Sequence, residues 1–252
     1  MNEMKRMLSF VRRAVDDYSM ISDGDRIAVG ISGGKDSLTL LATLASLRRF
    51  YPKRFELVAV TVDMGFEGAD YTAIRQMCDS LSVEYAVVKT DIAKIIFDIR
   101  QESNPCSLCA KMRRGALHAA AKEHGCNKVA LGHHYDDAVE TFMLNLFFEG
   151  RLGCFSPVTY LSNRDITLIR PMIYAQEKDV EYFVRRSPLP VQKSLCPEDH
   201  ATERERMKNL LASLEKENKG LRHRIFNAMC KGKIDGFKLC GRYPDAGPVD
   251  DE

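Results

Sequence analysis

Ser32-Gly33-Gly34-Lys35-Asp36-Ser37 concentrates more chemistry than any other stretch of this chain. A glycine pair lets the backbone pass close to a ligand. If these residues turn a strand into a helix, the N–H groups of the first helical turn face that ligand and favour phosphate. Lys35 adds a cation, and Ser32 and Ser37 add hydroxyls. A Walker A loop needs a glycine six residues before its lysine and Ser or Thr directly after it. Val29 and Asp36 stand there instead, so this is not that loop. The plain alternative is a glycine-rich turn that happens to carry a lysine.

Two further groups stand out. Gly132-His133-His134-Tyr135-Asp136-Asp137-Ala138-Val139-Glu140-Thr141 places adjacent carboxylates where a helix should begin. That position suits the positive end of the helix dipole and a magnesium ion equally, and Asp136 serves as well as a plain N-cap. Cys106 and Cys109 lie three apart in the string from Asn104 to Gly115, with Lys111, Arg113 and Arg114 just beyond. A helix start and nearby cations favour thiolates, and two thiolates can grip a soft metal ion or the edge of a cluster. A lone pair at this spacing reads equally as redox-active, zinc-binding or buried.

These groups need elements to hold them. Residues 26–31, 55–62, 83–88, 128–131 and 166–169 are short, apolar runs that read as strands. Between them, residues 38–47, 70–81, 91–100, 107–125, 136–148 and 176–185 carry helical patterning, with Gly125 as a C-cap and Asn104-Pro105 as a break. The alternation predicts an α/β fold: a doubly wound, parallel, five-stranded sheet covered on both faces. Ligands on such sheets bind at the carboxyl ends of the strands. The first, second and fourth strands end in Gly30 and the glycine loop, in Asp63, and in Gly132-His133-His134, so these endings should converge. The expected organisation is an amphipathic helix over residues 1–24 and a nucleotide-binding α/β domain over 25–196. A helical C-terminal extension over 197–240 and a disordered tail over 241–252 follow.

The bulk composition fits one soluble α/β domain with an appendage: 252 residues, 45% hydrophobic and 29% charged. No apolar run reaches the length of a membrane span, and the N-terminus lacks a signal-peptide core, which predicts a cytoplasmic protein without membrane contact. Lys and Arg exceed Asp and Glu by only two charges, so a nucleic-acid surface would have to be a local patch. Eight cysteines in a cytosolic chain point to metal or redox chemistry for some of them rather than to disulfides.

The string SGGKDS at 32–37 resembles the signature of the PP-loop ATP pyrophosphatases, a family with the adenine nucleotide alpha hydrolase-like fold. Its members split ATP between the α- and β-phosphates and transfer AMP to an oxygen. The 132–141 string is similar to the GHHxDDxxET segment of PP-loop enzymes that thiolate tRNA or make lysidine in it. The string from Cys106 to Gly115 resembles the CSLCxxxRRG segment of the tRNA 2-thiocytidine synthetases, which carry a 4Fe-4S cluster. Their third cluster ligand lies in a downstream cysteine pair. Here Lys193 replaces the first member of that pair and leaves Cys196 as the third ligand. The resemblance spans about residues 5–231.

This resemblance implies an ATP-dependent tRNA sulfurtransferase. ATP would be held by Gly30, Ser32, Gly33, Gly34, Lys35, Asp36, Ser37, Asp63, Gly132, His133 and Asp137, with Mg2+ on Asp36 and Asp137. The cluster would sit on Cys106, Cys109 and Cys196, leaving one iron open to carry sulfide. Lys35, Asp36, Cys106 and Cys109 would be the catalytic residues, and Arg113 and Arg114 the RNA contacts. The C2 oxygen of an anticodon-loop cytidine would be adenylated and replaced by sulfur. The sulfur would come from a cysteine desulfurase or from free sulfide, and the implied assembly is a homodimer. Four alternatives stand beside this: a tRNA uridine as target, Zn2+ held by the three cysteines with His200, a metal-binding protein that keeps ATP as a structural ligand, and amide-forming amidotransfer chemistry, for which nothing in the chain resembles a glutaminase domain.

Overall fold

The computed structural model describes residues 3–100, 105–193, 195–196 and 203–238. Two compact units divide the chain, one within Met1–His134 and Val158–His200, the other within Tyr135–Pro157 and Ala201–Glu252.

The first unit is built on a six-stranded sheet. In chain order its strands are β1 (Asp25–Gly30), β2 (Phe55–Asp63), β3 (Glu84–Lys89), β4 (Lys128–Ala130), β5 (Val158–Leu161) and β6 (Ile166–Ile169). Their spatial order is β3-β2-β1-β4-β6-β5, and every neighbouring pair is parallel except β5 and β6. The parallel, doubly wound class is the one the sequence predicts, but the strand count is six rather than five. The missed strand, β5, is four residues long and half exposed, with Tyr160 open to solvent. It lacks the continuous apolar run by which buried parallel strands declare themselves.

Helices cover both faces. α1 (Glu3–Asp17), α2 (Lys35–Arg48) and α6 (Glu177–Arg185) pack together, with α2 directly on β1 and β2. α2 is buried almost all round, through Leu38, Leu40, Leu41, Leu44 and Leu47. Its fully buried threonines, Thr39 and Thr43, each return a hydroxyl to the carbonyl four residues back at 2.7 Å, so neither is left unsatisfied. On the opposite face α4 (Pro105–Glu123) lays Leu117, Ala120 and Ala121 against Ala28, Val58, Val60, Val129 and Leu168. Gly125 ends α4 at φ +67°, and the N–H of Cys126 reaches back to Ala121 O at 2.8 Å, the expected glycine cap. α3 (Thr72–Ser80) packs on β3, and the stretch read as helical over 91–100 is a π-helix at Lys94–Arg100.

The second unit gathers α5 (Tyr135–Phe148), α7 (Glu203–Glu217) and α8 (Leu221–Lys231). Tyr135 stacks on Phe226 with centroids 4.3 Å apart, and Phe237 meets Phe226 edge-on. Gly220, at φ +83°, separates α7 from α8, and the Glu215 carboxylate accepts the N–H groups of Gly220 and Arg222 at 2.6 and 2.9 Å. Residues 241–252 lie outside the described residues. No helix among the described residues is long and apolar enough to cross a membrane.

Candidate active site

The strand order reverses between β1 and β4, the place where parallel sheets of this kind bind ligands at the carboxyl edge. The loop after β1 is Ile31-Ser32-Gly33-Gly34, and it enters α2 at Lys35. Gly33 is left-handed at φ +82°, a conformation that favours glycine. Gly34 is the N-cap and makes no side-chain cap bond, so the first N–H groups of α2 are available to an anionic ligand. The serines brace the turn: Ser37 Oγ donates to Gly34 O at 3.0 Å, and the Ser32 and Ser37 hydroxyls lie 3.2 Å apart. A Cβ on Gly30 would meet Leu117 Cδ2 at 2.9 Å, so that side chain would have to shift to admit one.

The β4 ending converges on this loop as predicted. A Cβ on Gly132 would stand 3.1 Å from Asp36 C and 3.2 Å from Ser37 N, so the strand end and the first turn of α2 nearly touch. His134 is buried, with Nε2 3.8 Å from Asp36 Oδ1, and His133 beside it is half-buried. Asp63 closes β2, the other neighbour of β1. Its carboxylate accepts the Gly65 N–H at 2.9 Å and the Tyr71 hydroxyl, whose pKa burial and Asp63 together push up to about 12.

Lys35 folds back onto carboxylates. Its Nζ lies 3.1 Å from both Asp36 oxygens and 3.2 Å from Glu177 Oε1. Burial works against the Lys35 charge, but Asp36 and Glu177 outweigh it and hold the pKa above its ordinary value. Glu177 was not predicted. It opens α6 from far downstream, and no local pattern marks it as a partner of the loop.

The three predicted cluster cysteines lie in the same unit. Cys106 and Cys109 lie in the first turn of α4, the former exposed and the latter half-buried, and Cys196 is half-buried. Burial raises the Cys109 thiol above its ordinary value; Arg113 opposes the rise, and Cys196 and Cys106 add to it. Burial therefore wins at Cys109 over the cationic surroundings that the sequence suggested would favour a thiolate. Each of the other two sulfurs lies within the field of Cys109. Among the described residues, however, no three metal-ligating side chains converge closely enough to hold a metal ion. His200, the fourth ligand in the zinc alternative, lies outside the described residues. Arg113 and Arg114 are both exposed on α4, and Arg114 Nε donates to Ala110 O at 3.1 Å.

The acidic pair belongs to the second unit. Arg222 of α8 holds Asp136 at 3.0 Å and Glu140 at 3.4 Å, and Arg204 of α7 holds Asp137 at 3.1 Å. Burial and then Asp137 raise the Glu140 pKa against the pull of both arginines. No local pattern marks these arginines, which lie in an unremarkable charged stretch.

A PP-loop domain model matches residues 5–215 of the chain. The tRNA-cytidine(32) 2-sulfurtransferase of Geobacter sulfurreducens is 43% identical over 228 residues, 89% of either chain. That of Geotalea daltonii is 44% identical over 229 residues, 89% of this chain and 90% of the relative. Among solved structures, the U34-tRNA thiolase NcsA from Methanococcus maripaludis, with its 4Fe-4S cluster, matches with a TM-score of 0.72 at 26% identity. That match covers 87% of this chain and 76% of the thiolase.

Proposed function

The chain belongs to the PP-loop domain family and, within it, to the tRNA-cytidine 2-sulfurtransferases, and from that we infer that the glycine loop and the cysteine helix are two halves of one reaction. The enzyme thiolates tRNA at the expense of ATP. The target we propose is the C2 oxygen of cytidine 32, named for relatives at 43 and 44% identity, over the uridine named for a structural neighbour at 26%.

An exocyclic oxygen is a poor leaving group until it is adenylated. We assign ATP to the loop after β1, its phosphates facing the N–H groups at the start of α2, with Gly30, Asp63, Gly132 and His133 shaping the edge around it. Lys35 would leave its carboxylates to neutralise charge that builds on the phosphates during transfer. The C2 oxygen attacks the α-phosphorus, the α–β bridging bond breaks, and pyrophosphate departs. Sulfur then attacks C2, the C2–O bond breaks, and AMP leaves with the oxygen. Cys106, Cys109 and Cys196 would hold a 4Fe-4S cluster, which supplies when bound an iron without a protein ligand where sulfide is carried. Asp36 and Asp137, in separate units, each carry hard oxygen donors of the kind magnesium takes; Asp36 would give up Lys35, and Asp137 would give up Arg204, for an ion. Arg113 and Arg114, exposed beside the cysteines, are the proposed contacts for the anticodon loop, whose unpaired bases can be splayed out of the stack.

A cysteine desulfurase or free sulfide would supply the sulfur. The proposed setting is the cytoplasm, where tRNA is available, and the proposed assembly is a homodimer. The observation that carries this reading is the convergence of Gly132 on Asp36 and Ser37 at the switch between β1 and β4. Its test is Cys106→Ala in a reaction with tRNA, ATP and sulfide. The variant should bind ATP as the parent does and form no 2-thiocytidine; wild-type thiolation by the variant would remove the cysteines from the mechanism.

A further inference from the structure

The segment that leads from α6 to Cys196 touches the glycine loop. Leu189 N–H donates to Ser187 O at 2.8 Å, Val191 N–H to Leu189 O at 2.8 Å, and Gln192 N–H to Gly33 O at 2.9 Å. Pro188 and Pro190 fix φ at alternate positions and stiffen this run. The Gln192 side chain also lies on Gly33: a Cβ there would stand 3.0 Å from Gln192 Oε1. Gln192 Nε2 donates to the carbonyl of Asp70, in the connection after β2. One residue thus ties together the loops that follow two neighbouring strands.

The bond to Gly33 has a mechanical consequence. The Gly33 carbonyl and the Gly34 N–H belong to one rigid peptide plane. Gly34 N–H now points to Ser32 Oγ at 3.3 Å, a long and weak contact. A phosphate that draws this N–H toward itself must rotate the plane and carry the Gly33 carbonyl with it. Glycines on both sides of that plane offer little torsional resistance. Gln192 must then follow the carbonyl or lose its bond. Cys196 is four residues further on, so its Cα lies within about 14 Å of the Gln192 Cα even if the chain between them is fully extended.

We propose that Gln192 is a positioning residue that couples the glycine loop to Cys196, so that a nucleotide on the loop resets where Cys196 presents its sulfur. Sulfur delivered before the base oxygen is adenylated is wasted, and this link makes delivery answer to the nucleotide. The proposal rests on the assignment of ATP to the glycine loop.

The test is the alkylation rate of Cys196 by iodoacetamide, followed by mass spectrometry on the cluster-free full chain, where iron does not hold the thiol, with and without ATP and with ATP binding measured on the same samples. In the wild-type chain ATP should change the rate by about fivefold or more, the low end of ordinary coupling between sites. Gln192→Pro, which lacks the N–H that reaches Gly33, should bind ATP with less than about a twofold change in the rate. Gln192→Ala keeps the N–H and loses the side-chain contacts, so its response should be intermediate; it decides the matter if the proline variant has lost ATP binding. ATP binding to the wild-type chain without a change at Cys196 overturns the coupling alone, as does a full response in both variants. Failure of the wild-type chain to bind ATP overturns the coupling together with the nucleotide assignment.

Discussion

Lys35 is held between Asp36 and Glu177, at 3.1 and 3.2 Å, with its charge secured by both. A triphosphate offers a denser negative charge than either carboxylate, so in the proposed reaction the side chain would transfer to it. Lys35→Met should lower kcat for pyrophosphate release by about 100-fold or more and leave tRNA binding unchanged. Measured turnover with tRNA and ATP in excess checks this. His118 makes a different prediction. It is buried in α4, burial and then Arg164 and Arg114 lower its pKa, and its Nε2 finds no hydrogen-bond partner among the described residues. The fold therefore favours the neutral ring. Its contribution is complete above the ordinary value of 6.5 and is lost as pH falls through the lower folded value. Urea midpoints taken from about pH 7.5 to about pH 5 should fall more steeply for the wild-type chain than for His118→Leu. At this scale the contiguous motifs were legible because their chemistry is local. Glu177, Gln192, Arg204 and Arg222 were not, because each matters through a contact with a residue far away in sequence, and nothing in its own neighbourhood marks that contact.

The elements place those residues, and the tightest placement is β4 against α2. A Cβ on Gly132 would crowd the backbone of Asp36 and Ser37 at 3.1 and 3.2 Å, so that backbone would have to give way. Gly132→Ala should cost about 1–3 kcal/mol of stability by overpacking and weaken ATP binding, because the obstacle is backbone at the mouth of the glycine loop. Gly115, in α4, has open space where its Cβ would be, so Gly115→Ala should be neutral or stabilise by up to about 1 kcal/mol. Denaturant titration of the pair separates a need for space at Gly132 from a general intolerance of alanine. The parallel strands were readable because burial on both faces demands continuous apolar runs, as in Leu57-Val58-Ala59-Val60. β5 was not, since an edge strand with one face in solvent needs no such run. α5 was readable as a helix from its apolar spacing; that it clusters with α7 and α8 rests on the pairs Tyr135–Phe226 and Asp136–Arg222, which no local pattern announces.

For the whole molecule, a net charge of only +2 means that affinity for tRNA must come from local surfaces. The exposed arginines of α4, Arg113 and Arg114, are the contacts proposed for it. The sequence carried the reaction class further than the target, because the loop that activates an oxygen is the same whichever base supplies it. The relatives at 43 and 44% identity point to one base. The direct test is nucleoside mass spectrometry on tRNA from a strain that lacks this chain, with complementation by the wild-type gene and by Cys106→Ala. The expected result is loss of 2-thiocytidine at position 32, restored by the wild-type gene alone, with thiolated uridines unchanged. Persistence of 2-thiocytidine together with loss of a thiolated uridine would contradict it.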